Sequence, residues 1–294
     1  MTINRRRILQ IAAVGGLGTV AASSLIRPGS SKELIAAAGR DPYAAEVDQG
    51  LRYFRQQAQV QLPLVEDLVK AIRSGNLEKA KDAYVKARPP YEQIETYAAS
   101  FEETDRDIDA RPSAFDGGED NPEFKGFHRI EALLYREGKV KEALPFAKEL
   151  VESVKTLIND LDQRQNFNST LNFEGMIALA TEVVAKKICG EEETWSDQSL
   201  LIFSDNWIGI FSQYAPYSPR VADKDASVDQ EVKAAYKAAK GKLKPYFTPG
   251  EVAAQPYSSL DISQRKDIVD VGYRFRRALY KAAKVLEIPV GFEV

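Results

Sequence analysis

Among 294 residues there is one cysteine, Cys189, and one histidine, His128. A single cysteine excludes an intramolecular disulfide and every zinc or iron–sulfur site built from several thiolates. A single histidine removes more. Zinc peptidases with two histidines and a carboxylate need a second imidazole, and a ferritin-like di-iron site needs two Glu-x-x-His pairs. A Ser-His-Asp triad would have to use His128, yet no Gly-x-Ser-x-Gly elbow or strand context surrounds it. Sustained two-residue alternation of apolar and polar side chains is also missing, so no sheet is expected. Basic residues are in deficit: 40 Lys and Arg stand against 43 Asp and Glu. Five of those bases but only one acid, Glu33, lie in residues 1–38, which leaves a charge of −7 on the rest. Such a balance argues against nucleic acid, whose phosphates need a basic patch, and suits a cationic ligand.

What is present begins with an address. Asn4-Arg5-Arg6-Arg7-Ile8-Leu9-Gln10 resembles a twin-arginine export signal, with Gln10 where Lys is commonest. Residues 8–26 carry no charge but include Gly15, Gly16, Gly18 and Thr19, which suits a signal's apolar region better than a spanning helix. Val20-Ala21-Ala22 and Ala36-Ala37-Ala38 are both candidate cleavage sites, and an uncleaved anchor is the alternative. No cysteine follows that could carry a lipid. Residues 1–38 are therefore read as signal and linker, and 39–294 as one helical domain outside the cytoplasm.

From Asp41-Pro42 onward apolar residues recur at helical spacing. Leu51, Phe54, Ala58, Leu62, Val65, Leu68, Val69 and Ile72 form one stripe that stops at Ser74-Gly75. Asp41 is the expected N-cap, Pro63 the expected kink, and Pro89-Pro90 should interrupt a second helix over residues 77–101. Residues 103–126 and 215–227 read as polar crossovers. Further helices are expected near 127–136, 140–161, 171–189, 198–214, 228–243 and 260–286. Thr248-Pro249-Gly250-Glu251 has the form of a capping box. The fold class is all-α, in packed bundles.

Gly126-Phe127-His128-Arg129-Ile130-Glu131 is the chemical focus. His128 and Glu131 are three apart, so on a helix they share a face and can reach one cation. An imidazole with a carboxylate suits zinc, copper, iron or manganese. Further ligands must come from other helices. Glu92 and Glu95 have the same spacing after the Pro-Pro break, and Glu182 sits in the apolar stretch Ile177–Ala185, where a lone carboxylate needs a partner. The bland readings are an exposed helix pair for His128 and Glu131, a solvated face for Glu92 and Glu95, and an ion pair with Lys186 for Glu182. Glu191-Glu192-Glu193 reads as a solvated charge run.

Tyr91-Glu92-Gln93-Ile94-Glu95, Ala99-Ser100-Phe101, Ile108-Asp109-Ala110-Arg111, Gly117-Gly118-Glu119-Asp120 and the Gly-x-His-x-x-Glu core resemble the imelysin-like family, in particular its EfeO/EfeM-type periplasmic iron-uptake proteins. The block Leu179–Glu192 and the tail Leu279–Leu286 resemble it too. The resemblance implies two four-helix bundles with a metal site at His128 and Glu131, joined by Glu95, Glu182 and Glu92. It implies iron as the metal, with zinc or copper able to bind in vitro. It also implies a membrane iron permease and a periplasmic haem peroxidase as partners. The residues give no support for the peptidase activity with which family members were once classed, so no enzyme is expected, and a monomer is. Some relatives carry an N-terminal cupredoxin domain, for which this chain has neither room nor a Cys-His-Met set. Where the family usually has a Ser-His-Thr-Asp-Leu-like run, this chain has Ser196-Asp197-Gln198-Ser199-Leu200, so no second site carries over. The alternatives are a helical module for an anionic polysaccharide or protein, using Arg265, Lys266, Arg274, Arg276, Arg277, Lys281 and Lys284, and, less favoured, a metallopeptidase.

Overall fold

The structure is a computed structural model that describes residues 41–190 and 192–291; the export signal, its cleavage sites and Glu191 lie outside the described residues. No β-strand occurs among them, and a lone antiparallel bridge joins Phe247 to Ala254.

The first bundle is built on α1 (Ala44–Arg73). It packs against α2 (Leu77–Ala87), α3 (Pro89–Ile94) and α6 (Leu144–Asp162), with α4 (Glu102–Asp109) laid on α6. The apolar stripe of α1 is buried along its length, from Val47 through Leu51, Phe54, Ala58, Val65 and Leu68 to Ile72. The sequence suggests a kink or break at Pro63; the helix is not broken there, and buried residues continue on both sides of it. Asp41 does not cap α1 through the usual N2 or N3 amide. It accepts from Tyr43 N–H at 2.9 Å and from Ser169 N–H and Oγ at 2.7 and 2.8 Å, which ties the chain start to a later helix.

The second bundle comprises α7 (Ser169–Ala185), α8 (Ser199–Tyr214), α10 (Ala226–Leu243) and α11 (Ile262–Val285), with α9 (Ser218–Lys224) as a short crossover. Thr248–Glu251 is a turn rather than a helix start. The capping box is instead at Asp261 and Gln264, opening α11. The polar crossover 103–126 is helical at its start, where α4 covers Glu102–Asp109.

The bundles meet where α3 and the 3-10 segment Glu95–Ser100 lie on α7 and α8. Two glycines permit that approach. A Cβ at Gly175 would fall 1.9 Å from Thr96 O, and one at Gly209 would fall 2.3 Å from Gln93 O. The backbone carrying Glu92 and Glu95 is thus pressed into the seam between the bundles.

Candidate metal centre

The centre is assembled at that seam from breaks in helices rather than from their middles. Pro89 and Pro90 open α3, and having no N–H to give to α2 they force a joint at Arg88. The buried Arg88 guanidinium lies 4.7 Å from the centre of the Phe127 ring. α4 ends at Asp109, followed by Arg111 in extended backbone. α5 (Phe127–Glu131) carries His128 and Glu131 and passes into a π-helical turn, Ala132–Arg136. Such wide turns recur at functional sites. Lys187 follows α7, and after Gly190 the chain folds back so that Glu192 and Glu193 point inward.

These residues form one buried ion network. Arg88 contacts Glu92, Asp109 and Glu193, each at 2.7 Å, and Glu192 at 3.6 Å. Lys187 Nζ lies 2.8 Å from Glu95, 3.2 Å from Glu192 and 3.5 Å from Glu92. Arg111 touches Glu192 and reaches Glu182 at 3.6 Å. Asn206 Nδ2 donates to Glu92 and Glu95 at 3.0 and 2.9 Å. His128 stands between Glu131, 3.2 Å from Nδ1, and Asp109, 3.5 Å from Nε2. Glu131 Oε1 accepts from Trp195 N–H and Ser196 N–H, both at 2.8 Å.

Charge does not balance here. Glu92, Glu95, Asp109, Glu131, Glu192 and Glu193 are buried, against only Arg88, Arg111 and Lys187 as buried cations. Three negative charges would remain if all six carboxyls were ionised and His128 neutral. Burial of uncompensated charge is met by protonation or by a bound cation. Burial pushes Glu92 up to about 8 and Glu193 up to about 7, although Arg88 beside both opposes it. Burial would also raise Asp109, but Arg88 and His128 outweigh it and hold that carboxyl well below the ordinary range. Burial would lower His128, yet the carboxylates of Asp109 and Glu131 beside its two ring nitrogens raise it above its usual value.

Among the described residues two sets offer three ligand atoms within 4.8 Å of one another: Asp109 with His128 and Glu192, and His128 with Glu131 and Glu193. All are nitrogen or carboxylate donors, which fits a borderline or hard cation such as zinc or iron. Of the residues singled out in the sequence, His128 and Glu131 come together. Glu92 and Glu95 sit in the same network but face Arg88, Lys187 and Asn206. Glu182, at its more open edge, reaches Arg111 at 3.6 Å. Asp109, Glu192 and Glu193 were not anticipated as ligands. For Glu192 and Glu193 the reading as a solvated run is overturned: the two side chains are 0% and 2% exposed, because the fold-back after Gly190 turns them toward Arg88 and Lys187.

Of the basic residues of α11, Lys266 pairs with Asp270 on the same helix, Lys281 pairs with Glu231 of α10, and Arg276 donates to Thr181 of α7. No described helix is long and apolar enough to cross a membrane.

With this geometry in place, comparison with known proteins defines the class. The Imelysin family model matches residues 50–269, and the chain belongs to that family. Its relatives include an "Efem/EfeO family lipoprotein" of Staphylococcus haemolyticus, 30% identical over 223 residues, which are 76% of this chain and 77% of that protein. A protein of the same description from Staphylococcus aureus strain MRSA252 is 27% identical over 252 residues, covering 84% of this chain and 88% of its own. The fold is shared with an imelysin-like protein from Psychrobacter arcticum 273-4, at 12% identity and a TM-score of 0.58, over 93% of this chain and 100% of that one.

Proposed function

We propose that this chain is an exported metal-binding component of an iron-uptake system, holding one cation at the His128 cluster and delivering it to a membrane permease. The observation that carries the reading is the buried excess of acid: six enclosed carboxylates against three enclosed bases, arranged around the only imidazole in the protein. The description of its relatives as EfeM/EfeO lipoproteins supports iron as the cargo and export as the destination. The twin-arginine-like start supports a periplasmic location, and folding before export would set the cluster in advance. A haem peroxidase of the same system is the natural companion, since it would set the oxidation state of the iron passed on. Peptidase chemistry is not part of the reading. A metal-held water needs an open coordination position that substrate can reach, whereas His128, Asp109, Glu131 and Glu192 are almost wholly enclosed.

Calorimetric titration of the metal-free protein with Fe(II), Zn(II) and Cu(II) tests the reading. One saturable site per chain is expected, with copper and zinc binding more tightly than Fe(II) whatever the biological cargo. Absence of saturable binding at micromolar concentration refutes it. Co-purification with the permease, set against retention on an anionic polysaccharide, tests delivery.

A further inference from the structure

His128 presents its two ring nitrogens to different carboxylates, and the two sides differ in how well their atoms are satisfied. On the Nδ1 side Glu131 is saturated. Its Oε1 accepts two backbone N–H groups at 2.8 Å, which fixes the carboxylate plane and holds Oε2 against Nδ1. Glu193 is likewise occupied, accepting from Tyr84 Oη at 3.1 Å and from Ser196 Oγ. On the Nε2 side, His128 Nε2 has only the long 3.5 Å approach to Asp109 Oδ1, which Arg88 already holds at 2.7 Å, and Asp109 Oδ2 is buried with no hydrogen-bond partner among the described residues. Glu192, beside them, meets only cationic side chains among the described residues: Arg111, Lys187 at 3.2 Å and Arg88 at 3.6 Å.

A neutral imidazole has one N–H and one lone pair, and the partner of one nitrogen decides the role of the other. Nδ1, facing an anchored carboxylate, is the nitrogen that keeps its proton. Nε2 then offers its lone pair to the space bounded by Asp109 and Glu192. We propose that the cation binds on this side, to His128 Nε2, Asp109 and Glu192, and that Glu131 is a positioning residue that sets the tautomer and ring plane of His128. Arg111 shares Glu192 with Lys187 at 3.2 Å and Arg88 at 3.6 Å, and Glu182, 3.6 Å away on the outer side, gives the Arg111 guanidinium somewhere to go as a metal arrives. The inference rests on the proposed metal-binding role but assigns a ligand set in which the helical His-x-x-Glu pair does not chelate.

One histidine makes the test direct. The full chain, labelled with nitrogen-15 in its histidine, gives one pair of ring-nitrogen resonances to follow while Zn(II) is added, with calorimetry in parallel. The expected result is a zinc-dependent shift at Nε2 while Nδ1 keeps its proton, and with cadmium-113 a scalar coupling to Nε2. Metallation of Nδ1 overturns the assignment while leaving the metal-binding role standing. Zinc uptake without change at either nitrogen overturns it too, by placing the metal away from His128. No uptake in the calorimeter removes the functional reading beneath it. Variants supply a second readout. Glu192→Gln should weaken zinc binding sharply, and Glu193→Gln should leave it near wild type. Glu131→Gln should weaken it by roughly 10–100-fold, as expected when a ligand's hydrogen-bonded support is lost. Equal losses in Glu192→Gln and Glu193→Gln would overturn the proposal.

Discussion

Replacing Gly126 by alanine should damage fold and metal binding together, and the structure sets the scale. Gly126 has φ 78° and ψ −161°, a region that is essentially glycine's alone and costs about 1–3 kcal/mol for other residues. A Cβ there would also lie 2.3 Å from Ile108 O and 2.7 Å from Asp107 O. Those atoms are backbone at the end of α4, so they cannot swing aside, and overpacking of this kind adds about 1–3 kcal/mol more. At about 2–4 °C per kcal/mol for a chain approaching this size, melting should fall by roughly 5–20 °C. The forced separation acts between the segment carrying Asp109 and the helix carrying His128. The 3.5 Å approach of Asp109 to Nε2 should therefore open, and zinc affinity should fall as well. Gly117→Ala is the control: φ is 88°, but no atom lies within 4 Å of its Cβ, so only the left-handed backbone penalty of about 1–2 kcal/mol applies. Thermal melts by circular dichroism and zinc calorimetry on the two variants decide the matter. A Gly126→Ala protein that melts no lower than Gly117→Ala and binds zinc like the wild type would refute the reasoning.

His128→Ala should cut zinc affinity by more than tenfold, or about 1.4 kcal/mol, with an unchanged far-ultraviolet spectrum, because the bundles are held by their apolar stripes; wild-type binding would remove His128 from the site. Zinc binding at pH 7 should release protons, since the flanking carboxylates raise His128 above its usual value and coordination requires its neutral form. Affinity should accordingly climb from pH 6 to 8, and calorimetry in two buffers of different ionisation heat would show zero release if the account fails. Asp205 is pushed by burial up to about 6, against opposition from Gln93 and Lys240, so its ionised form opposes folding above that pH. Asp205→Asn should stabilise the protein by up to about 3 kcal/mol at pH 8, and the gain should vanish as pH falls toward 4; melts showing a pH-independent difference would contradict it.

Most of the architecture was legible because it is carried by local patterning. The stripe from Leu51 to Ile72 is buried as the helical period demands, and the Pro-Pro pair interrupts its helix at Arg88. The errors arise where tertiary packing overrides a local signal. Pro63 does not break α1, whose buried face runs past it on both sides. Asp41, a sound N-cap candidate, is drawn to Ser169, 128 residues away. α4 is short and acid-rich, and only its seat on α6 makes it a helix.

The site was half legible for a reason that bears on its chemistry. His128 and Glu131 could be paired because helix geometry relates residues three apart. Nothing local relates Glu193 to Tyr84, 109 residues away, or Lys187 to Glu95, 92 residues away. A run of three glutamates normally belongs in water, where hydration outweighs anything a fold can offer. Two of these are enclosed because Arg88 and Lys187, each too expensive to bury alone, reach the same seam and need them. Yet the bases are outnumbered, so mutual need does not account for the whole cluster. A scaffold concerned only with stability could reach neutrality by burying fewer acids, and apolar replacements of similar volume would serve it as well or better. Retention of uncompensated acid around one imidazole is understandable if a multivalent cation completes the charge balance. The three built-in bases then keep the seam folded when that cation has left.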